Sequence, residues 1–252
     1  VWGGAVQLSP VDDLLIRVER ALDIDSEGQL VASVLSKKVA AGSTHVVIDV
    51  PVGPTAKVRD RQSAAHLALL LERVPRQVDL QLRIVLTDGT QPVGRGIGPA
   101  LEAHDVVSVL QGDADAPVDL RARAVTLAGE ALELAGHCSI GTGATLAAKT
   151  LDDGQAWRKL QAICEAQGGL REPPVAEHRW VCGAAMNGEI GAIDNRRIAR
   201  VAKLAGAPGA KSAGVRLHVR LGDSVEVGQP LFELHAESGG ELEYARQYLD
   251  RQ

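Results

Sequence analysis

The apolar positions of the chain switch between helical and strand periods, and each switch marks an element. Leu30, Val31, Val34 and Leu35 recur at helical spacing, which predicts an amphipathic helix with one face toward a core. Ser26 followed three residues later by Gln29 forms a capping box, so this helix is expected to start at Glu27 or Gly28. Gly42 stands where a C-terminal cap belongs. Residues 10 to 41 as a whole read as helical. The run His45 to Val50 (HVVIDV) is short and rich in β-branched residues, the signature of a buried strand. Pro51-Val52-Gly53-Pro54 then ends it. A helix near 61–74, carrying Ala64, Leu67, Leu70 and Leu71, leads to a strand near 79–86 and a further helix from about Ile97. Strands alternating with helices indicate an α/β layer fold.

Amphipathic helices are expected at 118–135 and at 155–167, where Trp157, Leu160 and Ile163 share a face, as cover for the sheet. Gly168-Gly169 and Pro173-Pro174 mark a boundary. Beyond it Val215, Leu217, Val219 and Leu221 alternate, Gly222-Asp223 reads as a turn, and a last strand is expected at 230–235. The pattern divides the chain into a helical piece and hinge (1–42), a mixed α/β domain flanked by helices (43–170) and a small β-rich, hammerhead- or sandwich-like domain (171–252).

Composition narrows the function classes. A chain of 252 residues can bury a sizeable core. Its net charge is −5 without a basic block, which argues against nucleic-acid binding. Three Trp, two Tyr and one Phe are too few for a base-stacking surface. No apolar run reaches the roughly 18 residues of a membrane span, and no leader is visible. Cys138, Cys164 and Cys182 are widely spaced and read as reduced thiols of a cytoplasmic protein. The seven histidines show no ligand spacing, so no metal is expected.

The chemistry concentrates between Arg17 and Arg59. An acid (Asp25), a hydroxyl (Ser33) and two lysines (Lys37, Lys57) surround one helix and the loop after the first strand. Ser33 and Lys37 are four apart and share a helical face. If the sheet is parallel, Lys57 lies at the carboxyl end of a strand, where ligands sit in open α/β sheets. Such a group can hold a small anionic or heteroaromatic ligand and give it a proton. A solvated helix face supplies the same Ser–Lys spacing, and an aspartate before a capping box also serves turn chemistry.

The segment LSPVDDLLIRVERALDIDSEGQLVASVLSKKVAAGSTHVVIDVPVGPTAKV closely resembles the thymidine phosphorylase and AMP phosphorylase family. TDGTQPVGRGIGPALEAHDVVSVL is similar to that family's TD-x-x-QP-x-G segment, and GVRLHVRLGDSVEVGQPLFELHAES to its C-terminal domain. Within the family the likeness is nearer to the AMP phosphorylase branch and its bacterial relatives than to the shorter pyrimidine enzymes. The resemblance implies a pentosyltransferase that reversibly cleaves thymidine with phosphate to thymine and 2-deoxyribose 1-phosphate, or a nucleoside 5′-monophosphate of the AMP type. It implies Asp25 as proton donor, Ser33 and Lys57 as substrate contacts and Lys37 as a base contact. An arginine contact would fall to Arg17 or Arg20 with a shift in register, because Val18 occupies the family spacing. Inorganic phosphate is then a co-substrate, no cofactor is needed, and a homodimer is expected. The chain opens at Val1 without Met, and the family's phosphate-binding segments have no counterpart in it. The resemblance thus implies a C-terminal fragment with the base side of the site, inactive on its own.

Two glycine-rich stretches compete as ligand loops. Gly94-Arg95-Gly96-Ile97-Gly98 lacks both the dinucleotide spacing and a GK[ST] ending, and is read as close helix packing, with Glu102 structural. Ser139-Ile140-Gly141-Thr142-Gly143 is read as a helix start. The 210–235 pattern also resembles a biotinyl/lipoyl carrier module. A carrier needs a lysine at a tight turn; neither Gly222-Asp223 nor Met186-Asn187-Gly188 has one, and Lys211 lies too far before the strand.

Overall fold

The computed structural model describes residues 10, 14–15, 18, 27–73 and 80–251. Asp25, Arg17 and Arg20 lie outside them. The fold is mixed α/β, and its contacts divide it into two compact units, each assembled from several chain segments.

The first unit holds helix α1 (Glu27–Ala40), strand β1 (His45–Val52), helix α2 (Arg61–Arg73) and strand β2 (Gln81–Asp88). α1 begins where the capping pattern predicts and ends at Gly42, whose φ of 70° is the left-handed conformation that lets Ser43 N–H reach back to the Lys38 carbonyl at 3.0 Å. β1 and β2 form a two-stranded sheet. Gln81 N–H bonds to the Thr44 carbonyl at one end, and the Thr87 hydroxyl bonds to the Asp49 carboxylate toward the other. Partners therefore advance together along both strands, so these run parallel, joined through α2 as a crossover requires. Val31 and Leu35 of α1, Val46 and Val50 of β1, and Leu67 and Leu71 of α2 close a single core. Both helices thus bury the stripe that their periodicity defines.

The second unit is built on a four-stranded antiparallel sheet. Its strands are β3 (Gly96–Ile97), β4 (His178–Gly183), β6 (Gly214–Leu217) and β8 (Pro230–Ala236), in the order β3-β6-β8-β4. Between β4 and β6 lies β5 (Gly188–Glu189), which pairs with β7 (Ser224–Val225). Helix α3 (Pro99–Gln111) follows β3. Helices α4 (Val118–Leu134) and α5 (Gly143–Asp152) run across the division between the units, and α6 (Gln155–Ala166) follows them. The buried face of the sheet, Val215, Leu217 and Leu234, packs on α7 (Asn195–Leu204) and α8 (Gly239–Asp250) through Val201, Ala202 and Ala245.

These two helices correct the expectation of a β-rich ending: α7 and α8 are the cover without which the sheet would leave an apolar face in water. The strand expected to continue to Leu221 stops at Leu217. Beyond it the chain is drawn toward another segment. Arg220 donates to the carbonyls of Pro92 and Gly94, both at 2.7 Å, and pairs with Asp119 at 2.8 Å, while Leu221 N–H donates to Gln91 Oε1 at 3.0 Å.

The other face of this sheet carries Arg179, Arg216, His218, Glu233 and His235. His235 is buried, with Nε2 3.6 Å from Glu233 Oε2, which also lies 3.8 Å from His218 Nε2. Burial holds the His235 imidazole below its ordinary value near 6.5, with Glu233 opposing that effect and Arg179 and Arg216 reinforcing it. The unfolded chain therefore takes up a proton that the folded chain refuses. This contribution to stability is complete above pH 6.5 and is lost as pH falls through the lower folded value. The thermal midpoint should decline from pH 7 toward about pH 5, as the unfolding free energy falls by at most about 1.4 kcal/mol per pH unit. His235→Gln should flatten that slope; an identical slope in the variant would assign the decline to other groups.

Candidate functional site

Within the first unit, α1 brings two of the predicted residues together. Val31 and Leu35 are buried, which turns Ser33 and Lys37 to the half-buried flank of the helix. Lys37 Nζ donates to Ser33 Oγ at 3.2 Å and approaches the Ser33 carbonyl at 3.4 Å. The i, i+4 spacing alone produces this contact. An ammonium and a hydroxyl at one place can hold an electron-rich oxygen or ring nitrogen, and the ammonium favours one that gains negative charge.

Lys57 belongs to the second unit. It ends the loop Gly53–Lys57 that follows β1, and it is exposed. Gly53 packs against the turn at Gly89. A Cβ there would collide with the Gly89 carbonyl group and stand 2.7 Å from Thr90 N. The Gly89 turn is itself fixed by Asp88, whose carboxylate accepts from Thr90 N–H at 2.9 Å and from the Thr90 hydroxyl at 3.0 Å. The loop is further tied to α7. Asn195 N–H donates to Thr55 Oγ1 at 3.2 Å, Asn195 Nδ2 donates to the Gly89 carbonyl at 2.9 Å, and Arg196 Nη2 donates to the Ala56 carbonyl at 3.3 Å.

Sequence reasoning missed Asn195 and Arg196. The usable signal was Asp194 before Ile198, Val201 and Ala202 at helical spacing, and Asp194 does cap α7 by accepting from Arg196 and Arg197 N–H.

The two glycine-rich stretches hold carboxylates of the chain itself. Arg95 and Gly96 N–H both donate to Asp105 Oδ2, at 2.6 and 2.7 Å, and Gly94 N–H donates to Asp119 at 3.1 Å. Glu102 accepts from Gly98 N–H at 3.0 Å and so has the structural role expected of it. In the first unit Glu133 Oε1 accepts from Gly141 and Gly143 N–H at 2.8 and 2.9 Å, and its other oxygen meets Arg83 at 3.3 Å. The Gly143 and Gly141 amides and Arg83 hold the Glu133 carboxyl below its usual range. With their amides bound in this way, neither stretch is a phosphate cradle.

A cavity of about 390 Å³ in the second unit is lined by Ile193, Ile198, Val201, Leu217 and Phe232. Asp194 and Arg197 also line it, and Asp194 is occupied in capping α7. Among the described residues no group of three His, Cys, Asp or Glu has the arrangement of a metal site.

A mixed α/β chain that ends in an antiparallel sheet covered by α7 and α8 carries a recognisable module there: residues 189–252 match the model of the pyrimidine nucleoside phosphorylase C-terminal domain. Over 250 residues the chain is 64% identical to "Putative thymidine phosphorylase 1" of Acidovorax sp. (strain JS42), covering 99% of this chain and 49% of that protein. It is 63% identical over 252 residues to "Putative thymidine phosphorylase" of Polaromonas sp. (strain JS666 / ATCC BAA-500), with 100% and 49% covered. With the protein of the same name from Legionella pneumophila (strain Paris) it shares 61% over 245 residues, with 97% and 47% covered. Over nearly its whole length the chain is thus similar to proteins named putative thymidine phosphorylase. It spans about half the length of the curated relatives it matches.

Proposed function

We propose that the protein containing this chain is a nucleoside phosphorylase, a pentosyltransferase that cleaves thymidine with inorganic phosphate to thymine and 2-deoxyribose 1-phosphate. The carrying observation is the 64% identity that runs over 99% of the chain to a relative bearing that name. The Ser33–Lys37 pair is compatible with it, because a cation beside the departing base can hold the negative charge that develops there.

Phosphate oxygen attacks the anomeric carbon as the bond to the base nitrogen breaks. The ribose gains oxocarbenium character and the base takes the electron pair. Asp25, as a carboxylic acid, passes its proton to the departing base; Lys37 and Lys57 hold the negative charge that develops there, and Ser33 orients the ring. Arg17 or Arg20 adds a further contact. We assign the working protein a homodimeric, cytoplasmic form without a cofactor. The nucleotide reading differs only in requiring a site for a 5′-phosphate.

The test is a panel on a protein of the relatives' full length. Thymidine, uridine, AMP and CMP are incubated with and without phosphate, and free base is read by chromatography. Phosphate-dependent thymine release supports the proposal. Release from AMP or CMP instead replaces it with a nucleotide phosphorylase, and no phosphate-dependent release from any substrate overturns it. In the same protein Lys57→Ala is expected to raise the Michaelis constant for the nucleoside about tenfold, the scale of one charge-assisted hydrogen bond. An unaltered constant removes Lys57 from the site.

A further inference from the structure

Lys57 ends a five-residue loop, and a lysine reaches its target on a flexible four-carbon stem. The position of its ammonium therefore depends on what fixes the loop backbone. The two residues just before it, Thr55 and Ala56, are bound by two consecutive residues of α7, Asn195 and Arg196. Asn195 reaches a third point, the Gly89 carbonyl, on the turn against which Gly53 packs. One side chain and its own backbone amide thus link the turn after β1 to the turn after β2, with partners 140 and 106 residues away in sequence.

The link is not what stability alone selects. Asn195 Oδ1 is buried and has no hydrogen-bond partner among the described residues. A buried acceptor left unsatisfied costs about 1–3 kcal/mol. Turning the amide over does not relieve this, because it would aim an oxygen at the Gly89 carbonyl in place of a donor. What the asparagine supplies against that cost is the geometry it imposes on both turns.

We propose that Asn195, assisted by Arg196, is a positioning residue for Lys57, so that the segment matching the phosphorylase C-terminal domain sets the affinity of the site for its nucleoside. This rests on the reading of Lys57 as a substrate contact. A loop released by about 1 Å would carry the ammonium out of reach of its target.

Two measurements test it. In this chain, hydrogen exchange is followed at Ala56, whose N–H is protected by the Gly53 carbonyl at 3.0 Å. Asn195→Pro, at the first helical position where proline is tolerated, removes both the N–H that holds Thr55 and the side chain that holds Gly89, and should speed that exchange at least about tenfold while leaving the amides of α2 unchanged. In the full-length protein, Asn195→Pro should raise the nucleoside Michaelis constant by about the factor that Lys57→Ala does. The double variant should be no worse than Lys57→Ala alone, because both remove one interaction.

Unchanged exchange at Ala56 overturns the clamp, and additive effects in the double variant overturn its action through Lys57. If Lys57→Ala leaves the Michaelis constant alone, the reading of Lys57 fails, and the exchange result still decides the clamp. Should Asn195→Pro fail to fold, Arg196→Ala removes only the Ala56 bond and is held to the same outcomes at smaller size.

Discussion

Asp25→Asn in a protein of the relatives' full length is expected to lower turnover about 100-fold, the lower end of what general acid catalysis supplies. The amide keeps the size of the carboxylic acid and cannot yield a proton to the departing base. In the proposed reaction that proton moves only as the glycosidic bond breaks, so kcat and kcat/KM should fall together and the Michaelis constant should stay near its original value. The measurement is steady-state thymine release at saturating thymidine and phosphate across pH. In the parent protein the rate should fall on the alkaline side as the acid ionises, and this limb should be missing from the variant. Turnover at the parent level would remove Asp25 from the chemistry while leaving the lysine contacts to be judged separately.

A large effect on stability is expected at Gly98. Its φ of 137° is one that side-chain-bearing residues rarely adopt. A Cβ there would collide with the Ala213 carbonyl and stand 3.1 Å from Gly214 Cα. These neighbours are backbone, at the junction where β3 pairs with β6, so they cannot rotate away as a side chain would. Gly98→Ala should cost about 4 kcal/mol, in the range reserved for strain at a special backbone position, and lower the thermal midpoint by roughly 10 °C. Gly28→Ala is the contrasting change. Gly28 lies inside α1, and a Cβ there meets open space, so alanine should be neutral or stabilising by up to about 1 kcal/mol. Equal midpoints for the two variants would mean that the β3–β6 junction yields more easily than its packing implies.

Local pattern made the first unit legible. The β-branched run at His45–Val52 and the stripes of α1 and α2 each carry their own periodicity, and the elements fall within one or two residues of expectation. The Ser33–Lys37 contact was equally accessible, since four residues on a helix leave little choice of geometry. The second unit was harder to read for identifiable reasons. β3 is two residues long and has no period to detect. β4 mixes His178, Arg179 and Trp180 with Val181, so its alternation is hidden by charge. α7 and α8 bury few positions among many charged ones. The attachment of the Lys57 loop could not be read at all, because its partners lie in α7, far along the chain, and each bond has at one end a backbone group that every residue possesses, the Asn195 N–H or the Ala56 carbonyl.

The interleaved build of the two units has a practical meaning for anyone cutting the gene. The chain passes from one unit to the other after residues 52, 57, 87, 125 and 147. No single truncation point therefore yields either unit whole. The match to the phosphorylase C-terminal domain begins at residue 189, whereas the sheet it contributes to takes β3 and β4 from residues 96–97 and 178–183. Expressed by itself, that segment would present both β6 and β8 with an unpaired edge, the invitation to edge-to-edge aggregation that folded sheets avoid. A soluble expression product would have to begin ahead of β3 or supply a substitute strand at each edge.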